Sequence, residues 1–129
     1  MNFPNRYLLD SDILIEYIRA RGQAIEYVDN LEGDLLVSAV TVAELYAGAR
    51  NDDEQQRLDD LFLAMFIIPV DQTIAKQGGR YRYQYAKSHG TGLMDALIAA
   101  TAEIVSASLV TFNRRHFPMI ANLQVPYQR

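Results

Sequence analysis

Four acids and one amide stand where a folded chain has little ordinary use for them. Asp10 and Asp12 separate a short apolar run, Tyr7-Leu8-Leu9, from the helix-spaced Ile13, Leu14, Tyr17 and Ile18. Glu44 lies in TVAEL, Asp95 lies among Leu93, Met94, Leu97 and Ile98, and Asn113 follows the apolar stretch Ser108 to Thr111. A carboxylate at the mouth of a core is costly to desolvate unless something compensates it. If Asp10, Glu44 and Asp95 converge, each ionised pair about 5 Å apart repels by roughly 3 kcal/mol at an effective dielectric of about 20. That is a heavy load on a domain whose whole stability is on the order of 5–15 kcal/mol. Either the pKa values rise or a cation binds. With oxygen ligands and no cysteine in the chain, the cation is Mg²⁺ or Mn²⁺. Such ions clamp a phosphodiester, lower the pKa of a bound water and steady the leaving oxygen, so the chemistry is metal-dependent phosphodiester hydrolysis.

Each of these residues also has a structural use. Asp10 suits a helix N-cap, but so does Asp12, and two Asp compete for one cap. Thr41-Val42-Ala43-Glu44 fits a capping box, with Glu44 turned back to the Thr41 amide, and this is its expected use. Asp is a poor residue inside a helix. Asp95 could balance the N-terminal dipole with Thr91 as cap, or be a carboxylate held in the notch left by Ala99 and Ala102. Asn113 suits the cap of a short helix; its side-chain oxygen could also orient a water or a metal ligand.

The elements that must position them follow from periodicity. Strands are expected at Tyr7 to Leu9, Leu35 to Val37, Ile67 to Val70, Ser108 to Thr111 and Leu123 to Val125, with Pro69 favouring an edge position for the third. Helices are expected from about Ile13, over Ala24 to Leu31 with Gly33 closing it, from Thr41 towards Arg50, after the acidic run Asp52-Asp53-Glu54, after Asp71 as cap, over Leu93 to Ser106, and briefly over Arg115 to Ile120. Alternating strands and helices predict an α/β fold with a parallel sheet covered by helices on both faces. In such folds ligands bind beyond the carboxyl ends of the strands, and Asp10 directly follows the first one.

Net charge is −4, unevenly spread: residues 1–71 carry −9 and residues 72–129 carry +5. From Gln72 to Met94 there is no acid, while Lys76, Arg80, Arg82 and Lys87 are interleaved with Tyr81, Tyr83 and Tyr85. Cations beside aromatics hold a phosphate backbone and stack on bases; a solvated helix face with its Tyr packed inward gives the same pattern. The start, MNFPNRYLLDSD, shows no long apolar run behind basic residues, and no uncharged apolar run approaches the roughly 20 residues of a membrane span. One cytoplasmic domain over residues 1–129 is expected.

YLLDSDILIEYI, VSAVTVAELYAGA, GLMDALIAATA and LVTFNRRHF resemble, in order and spacing, the four motifs of PIN-domain ribonucleases, and most of all those of VapC-like toxins. The resemblance implies a three-layer α/β/α sandwich around a mostly parallel sheet, Mg²⁺- or Mn²⁺-dependent endoribonuclease activity, a homodimer and inhibition by a cognate antitoxin. It makes Asp10, Glu44 and Asp95 the first three motif acids, which would hold the metal and carry catalysis. Asn113 stands where the fourth motif often has an acid, and would assist through water. His116 takes a place that is often acidic or His. Asp12 replaces a common Asn or Ser and could join the metal site. Lys76, Arg80, Arg82 and the tyrosines between them would hold the RNA strand, with Arg114 and Arg115 flanking the same edge and tRNA or rRNA as candidate substrates. The implied antitoxin tail would bring an Arg or Lys into the carboxylates, with Leu45, Tyr46, Leu61, Phe62 and Phe66 either forming its apolar groove or belonging to the core.

Two rivals stand beside this reading. A phosphoacceptor signalling domain also gathers acids around Mg²⁺, but needs a Lys after a late strand, where this chain has LVTFN. A non-cleaving RNA-binding module with a residual metal site would fit Asn113 in place of an acid.

Overall fold

Successive crossovers return the chain to the same end of one sheet. The computed structural model describes residues 5–129. In order they form β1 (Arg6–Leu9), α1 (Ser11–Ile18), α2 (Gly22–Asp29), β2 (Asp34–Ser38), α3 (Ala39–Ala47), α4 (Asp52–Phe62), β3 (Phe66–Ile68), α5 (Gln72–His89), α6 (Leu93–Ile104), β4 (Ser108–Val110), a 3₁₀ turn (Arg114–His116) and β5 (Leu123–Gln124). The sheet order is β3-β2-β1-β4-β5, and all four pairings are parallel. β3 is an edge strand, as Pro69 led us to expect.

Alternation along the strands builds the two cores. Leu8, Leu36 and Leu109 are in register and pack with Ile74, Tyr81, Ala96, Ala99 and Phe117 on the α5–α6 side. Their neighbours Leu9, Val37 and Val110 pack with Ile13, Leu14, Leu45, Leu58 and Phe62 on the side of α1 to α4. Two faces covered by helices make the fold a three-layer α/β sandwich. Each fully buried aliphatic side chain contributes about 1.5–3 kcal/mol relative to exposure. Leu45 and Phe62 therefore belong to the core, whereas Phe66 is exposed. Among the described residues no helix is long and apolar enough to cross a membrane.

Several local features differ from expectation. The capping box is overturned: α3 begins at Ala39, because Ser38, at the buried end of β2, accepts a hydrogen bond from the Val40 amide at 3.1 Å. Thr41 is then an interior, fully buried residue, and Glu44 lies in the body of the helix on an exposed position. The helix expected over Arg115 to Ile120 is one 3₁₀ turn, since Pro118 disfavours helical backbone at Phe117. Asp71 does cap α5, accepting from Ile74 at 2.9 Å. The costly Gly78 inside α5 has a packing reason: a Cβ there would lie 2.6 Å from Leu97 Cδ2, so glycine lets α5 close on α6.

Glu54 ties the α1–α4 layer together. It is 2% exposed and accepts from the Arg50 amide at 3.0 Å and from Arg50 Nε and Nη2 at 2.8 and 2.6 Å, with Arg19 Nε 3.5 Å away. Two guanidinium donors of Arg50, both on Oε2, hold its carboxyl down at about 2 together with the Arg50 amide on Oε1.

Candidate functional site

The sheet order reverses between β1 and β4, since the chain moves from β1 outward to β2 and β3 and then returns to β4 on the other side. The carboxyl ends of these two strands form the crevice where an open α/β sheet binds ligands. Asp10 and Thr111 sit there, each the first residue past its strand. The Asp10 amide continues the ladder, donating to the Val110 carbonyl at 3.0 Å.

The structure resolves the competition between the two Asp residues. Asp10 is the N-cap of α1, with Oδ1 accepting from the Ser11 amide at 2.8 Å. Asp12 reaches across the crevice instead, and its Oδ2 accepts from the Phe112 amide at 2.9 Å. Between them stands the buried Thr111 hydroxyl, 2.8 Å from Asp10 Oδ2 and 3.0 Å from Asp12 Oδ2. A hydroxyl has one proton to donate, so it serves one of the two carboxylates at a time, while its oxygen accepts from the Asn113 amide at 3.1 Å.

Asp95 lies in the first turn of α6, whose N-cap is Gly92 with no side-chain cap. Its Oδ2 is 3.0 Å from His116 Nδ1. The same nitrogen is 2.7 Å from Asn113 Nδ2, so it is either a donor to Asp95 or an acceptor for the amide. Thr91 is not the expected cap: its buried hydroxyl donates to the His116 carbonyl at 2.8 Å, and Arg82 donates to the Thr91 carbonyl at 3.3 Å. The α5–α6 connection thereby anchors the turn that carries His116. Asn113 occupies the position before that turn but makes no side-chain cap to it.

Electrostatics join the acids into one field. Burial, then the charge of Asp12, pushes the Asp10 carboxyl up to about 7, and Asp95 adds to the rise. Burial also raises Asp12, against the pull of the Phe112 and Thr111 hydrogen bonds. Glu44 is raised by partial burial and by the charges of Asp95 and Asp12. Among the described residues no Lys or Arg forms an ion pair with any of the four acids, and no three Asp, Glu or His side chains close on a single point as a preformed metal cage. The arrangement is an open, negatively charged crevice.

Residues 7–123 match the PIN domain. The chain belongs to the PIN-domain family. Ribonuclease VapC19 of Mycobacterium tuberculosis is 39% identical over 125 residues, covering 93% of this chain and 98% of that protein. Ribonuclease VapC10 of the same organism is 36% identical over 123 residues, covering 93% and 92%. A chain of a toxin–antitoxin complex from Klebsiella pneumoniae superposes with a TM-score of 0.83 at 28% identity, covering 95% and 99% of the two chains.

In this PIN domain the expected basic residues fall into two groups. Lys76, Arg80 and Arg82 line a broad shallow surface on α5 together with Tyr83 and Lys87. Arg114 and Arg115 are exposed on the 3₁₀ turn next to Asn113. The interleaved tyrosines divide: Tyr83 is 93% exposed and open for stacking, but Tyr81 is buried and Tyr85 half-buried against it, so these two pack inward.

Sequence reasoning missed Thr111 as part of the site, and it placed His116 in the fourth motif without finding its partner Asp95. Thr111 carried a faint signal as the polar end of an apolar strand. His116 was visible as one of only two histidines in the chain, but its partner Asp95 is 21 residues away and on another element.

Proposed function

We propose that this PIN-domain protein is a metal-dependent endoribonuclease and the toxin of a toxin–antitoxin pair. The observation that carries the reading is the crevice itself: Asp10 and Asp12 at the sheet's switch point, Asp95 beside the turn that follows β4 and Glu44 within their field, their carboxyls raised where a shift is resolved, and among the described residues no Lys or Arg paired to them. Unpaired carboxylates attract a cation, and their hard oxygens favour Mg²⁺ or Mn²⁺. Asp10, Asp12, Glu44 and Asp95 would hold it. When bound, such an ion lowers the pKa of a water and stabilises charge on a phosphodiester. Homology to two named ribonucleases over 93% of the chain supports the substrate class.

The chain's own residues prepare the crevice. Thr111 and the Phe112 amide fix Asp10 and Asp12 across the β1–β4 boundary, and His116 orients Asp95 when its Nδ1 donates to that carboxylate. Lys76, Arg80 and Arg82 on α5, with Arg114 and Arg115, supply cations for the RNA backbone, which such sites hold through phosphates and stacked bases. Likeness to a chain of a toxin–antitoxin complex supports a cognate antitoxin as partner, and a homodimer completes the reading.

The test is cleavage of a mixed tRNA and rRNA pool by antitoxin-free protein in Mn²⁺, Mg²⁺ or EDTA, with Asp10→Asn and Asp95→Asn alongside. Discrete fragments that vanish in EDTA and in both variants are the expected result. Intact RNA throughout, with metal bound and the fold intact, would favour the non-cleaving RNA-binding module, which Asn113 in place of a fourth acid also suits.

A further inference from the structure

The segment after β5 turns back onto the rim of the acidic crevice. The Tyr127 ring meets the Phe112 ring edge-on at 5.1 Å, and its hydroxyl donates to Glu16 Oε2 at 2.6 Å. Two residues on, the Arg129 guanidinium lies over the other ring partner, 4.2 Å from the Phe112 centroid. Phe112 is the residue whose amide holds Asp12. The residue that carries the ring thus also holds the carboxylate through its amide, and Arg129 sits over that ring.

This guanidinium is oriented but sparsely paired. Its protein partner among the described residues is Glu16 Oε1, 3.5 Å from Nη1, too long for a strong hydrogen bond, and its side chain is 51% exposed. Arginine presents five N–H donors in a planar fork matched to phosphate oxygens. The stack on Phe112 fixes the plane of the fork and leaves most donors facing water. Arg129 also reaches the crevice electrostatically, since its charge opposes the rise of the Asp12 carboxyl, yet it makes no ion pair with Asp12 and leaves the acids unblocked. The other cations named for RNA, Arg82 and the Arg114–Arg115 pair, belong to α5 and the 3₁₀ turn, whereas α1 carries Asp12 and Glu16. A polyanion crossing the crevice meets repulsion there unless Arg129 offsets it.

We infer that Arg129 is a phosphate-binding residue of the substrate site, holding an RNA backbone phosphate on the α1 side of the carboxylates, with Phe112 and Glu16 fixing its orientation. The identity of the ligand as RNA rests on the ribonuclease reading; the anion site rests on the geometry. The probe is a short fluorescein-labelled single-stranded RNA of mixed sequence, titrated by anisotropy with the full chain in EDTA across a range of salt. Arg129→Ala should bind about tenfold more weakly and lower the slope of log affinity against log salt by about 0.7, the value for one phosphate contact on a single strand. Arg129→Met, which keeps a side chain on Phe112 without the charge, should lose as much. Arg129→Lys should keep the slope. Wild-type affinity and slope in both Ala and Met variants, with urea midpoints unchanged, would overturn the inference. So would full recovery in the Met variant, which would assign the effect to packing. RNA bound through Arg129 in EDTA but never cut in Mn²⁺ would sink the ribonuclease reading and spare this one. Cleaved RNA with affinity and slope indifferent to Arg129 would do the reverse.

Discussion

Glu54 and Asp10 are hidden from water to nearly the same degree, 2% and 5% exposed, and their chemistry is opposite. Glu54 receives the Arg50 guanidinium through two hydrogen bonds and lies near Arg19, so its carboxyl is held down at about 2. Asp10 is pushed up to about 7 by burial first and by the charge of Asp12 next, against the hydrogen bond from Thr111. Burial alone thus says little about what an acid is for. An acid whose compensating charge is built into the fold works as a tie between helices; one left without it takes up a proton or a cation, which is the condition of a functional site.

Exchanging the charge at each position should separate the two roles. Asp10→Asn is expected to lower RNA cleavage at least about a hundredfold, the scale of losing a group that stabilises the reacting charge, and to leave the protein folded. Glu54→Gln is expected to do the reverse: cleavage per folded molecule unchanged, and a lower urea midpoint because Arg50 and Arg19 lose their buried partner. Equal loss of activity in both variants would break the comparison.

Metal sharpens it further. Mn²⁺ at about a hundredfold excess over its dissociation constant should stabilise the wild type by about 2.7 kcal/mol, seen as a rise in melting temperature that Asp10→Asn lacks and Glu54→Gln keeps.

The pH dependences should also have opposite signs. Because the Asp10 carboxyl is raised from 3.8 to about 7, the folded state binds more protons than the unfolded one in that window. The metal-free wild type should therefore lose stability as pH climbs through it, and Asp10→Asn should flatten the profile, gaining on the order of 2 kcal/mol at neutral pH. Glu54 is lowered from 4.5 to about 2, so its contribution is complete above the unfolded value and disappears as pH falls through about 2. Urea midpoints across pH read both.

The smallest effect concerns a residue that acts through another. His116→Ala should reduce cleavage by about tenfold, as removal of a hydrogen-bond partner behind a metal-site carboxylate does. Melting temperature should change little, since the ring is partly exposed.

Much of the fold was legible along the chain. Short apolar runs located the strands, helical spacing together with N-terminal acids located the six helices, and Pro69 and Asp71 announced an edge and a cap that the structure contains. Legibility failed where a residue near in space overrode its neighbours in sequence. Thr41-Val42-Ala43-Glu44 has the capping-box pattern, but Ser38 at the end of β2 takes the cap first and starts α3 two residues before Thr41. Tyr81 and Tyr83 read alike in the chain, yet the tight approach of α5 to α6 at Gly78 buries one and leaves the other in solvent.

By itself the sequence determined the alternating α/β order, the charge imbalance between its two parts and the acids that follow β1, lie within α3 and open α6. These depend on composition and on periods of two to four residues, which neighbours along the chain carry. Only the tertiary structure decided which Asp caps α1, that Asp12 grips an amide a hundred residues away, that Thr111 stands between two carboxylates, and that His116 and Arg129 arrive beside them. Those contacts follow from the register of β1 against β4 and from the path of the chain beyond β4. No local period encodes such a register.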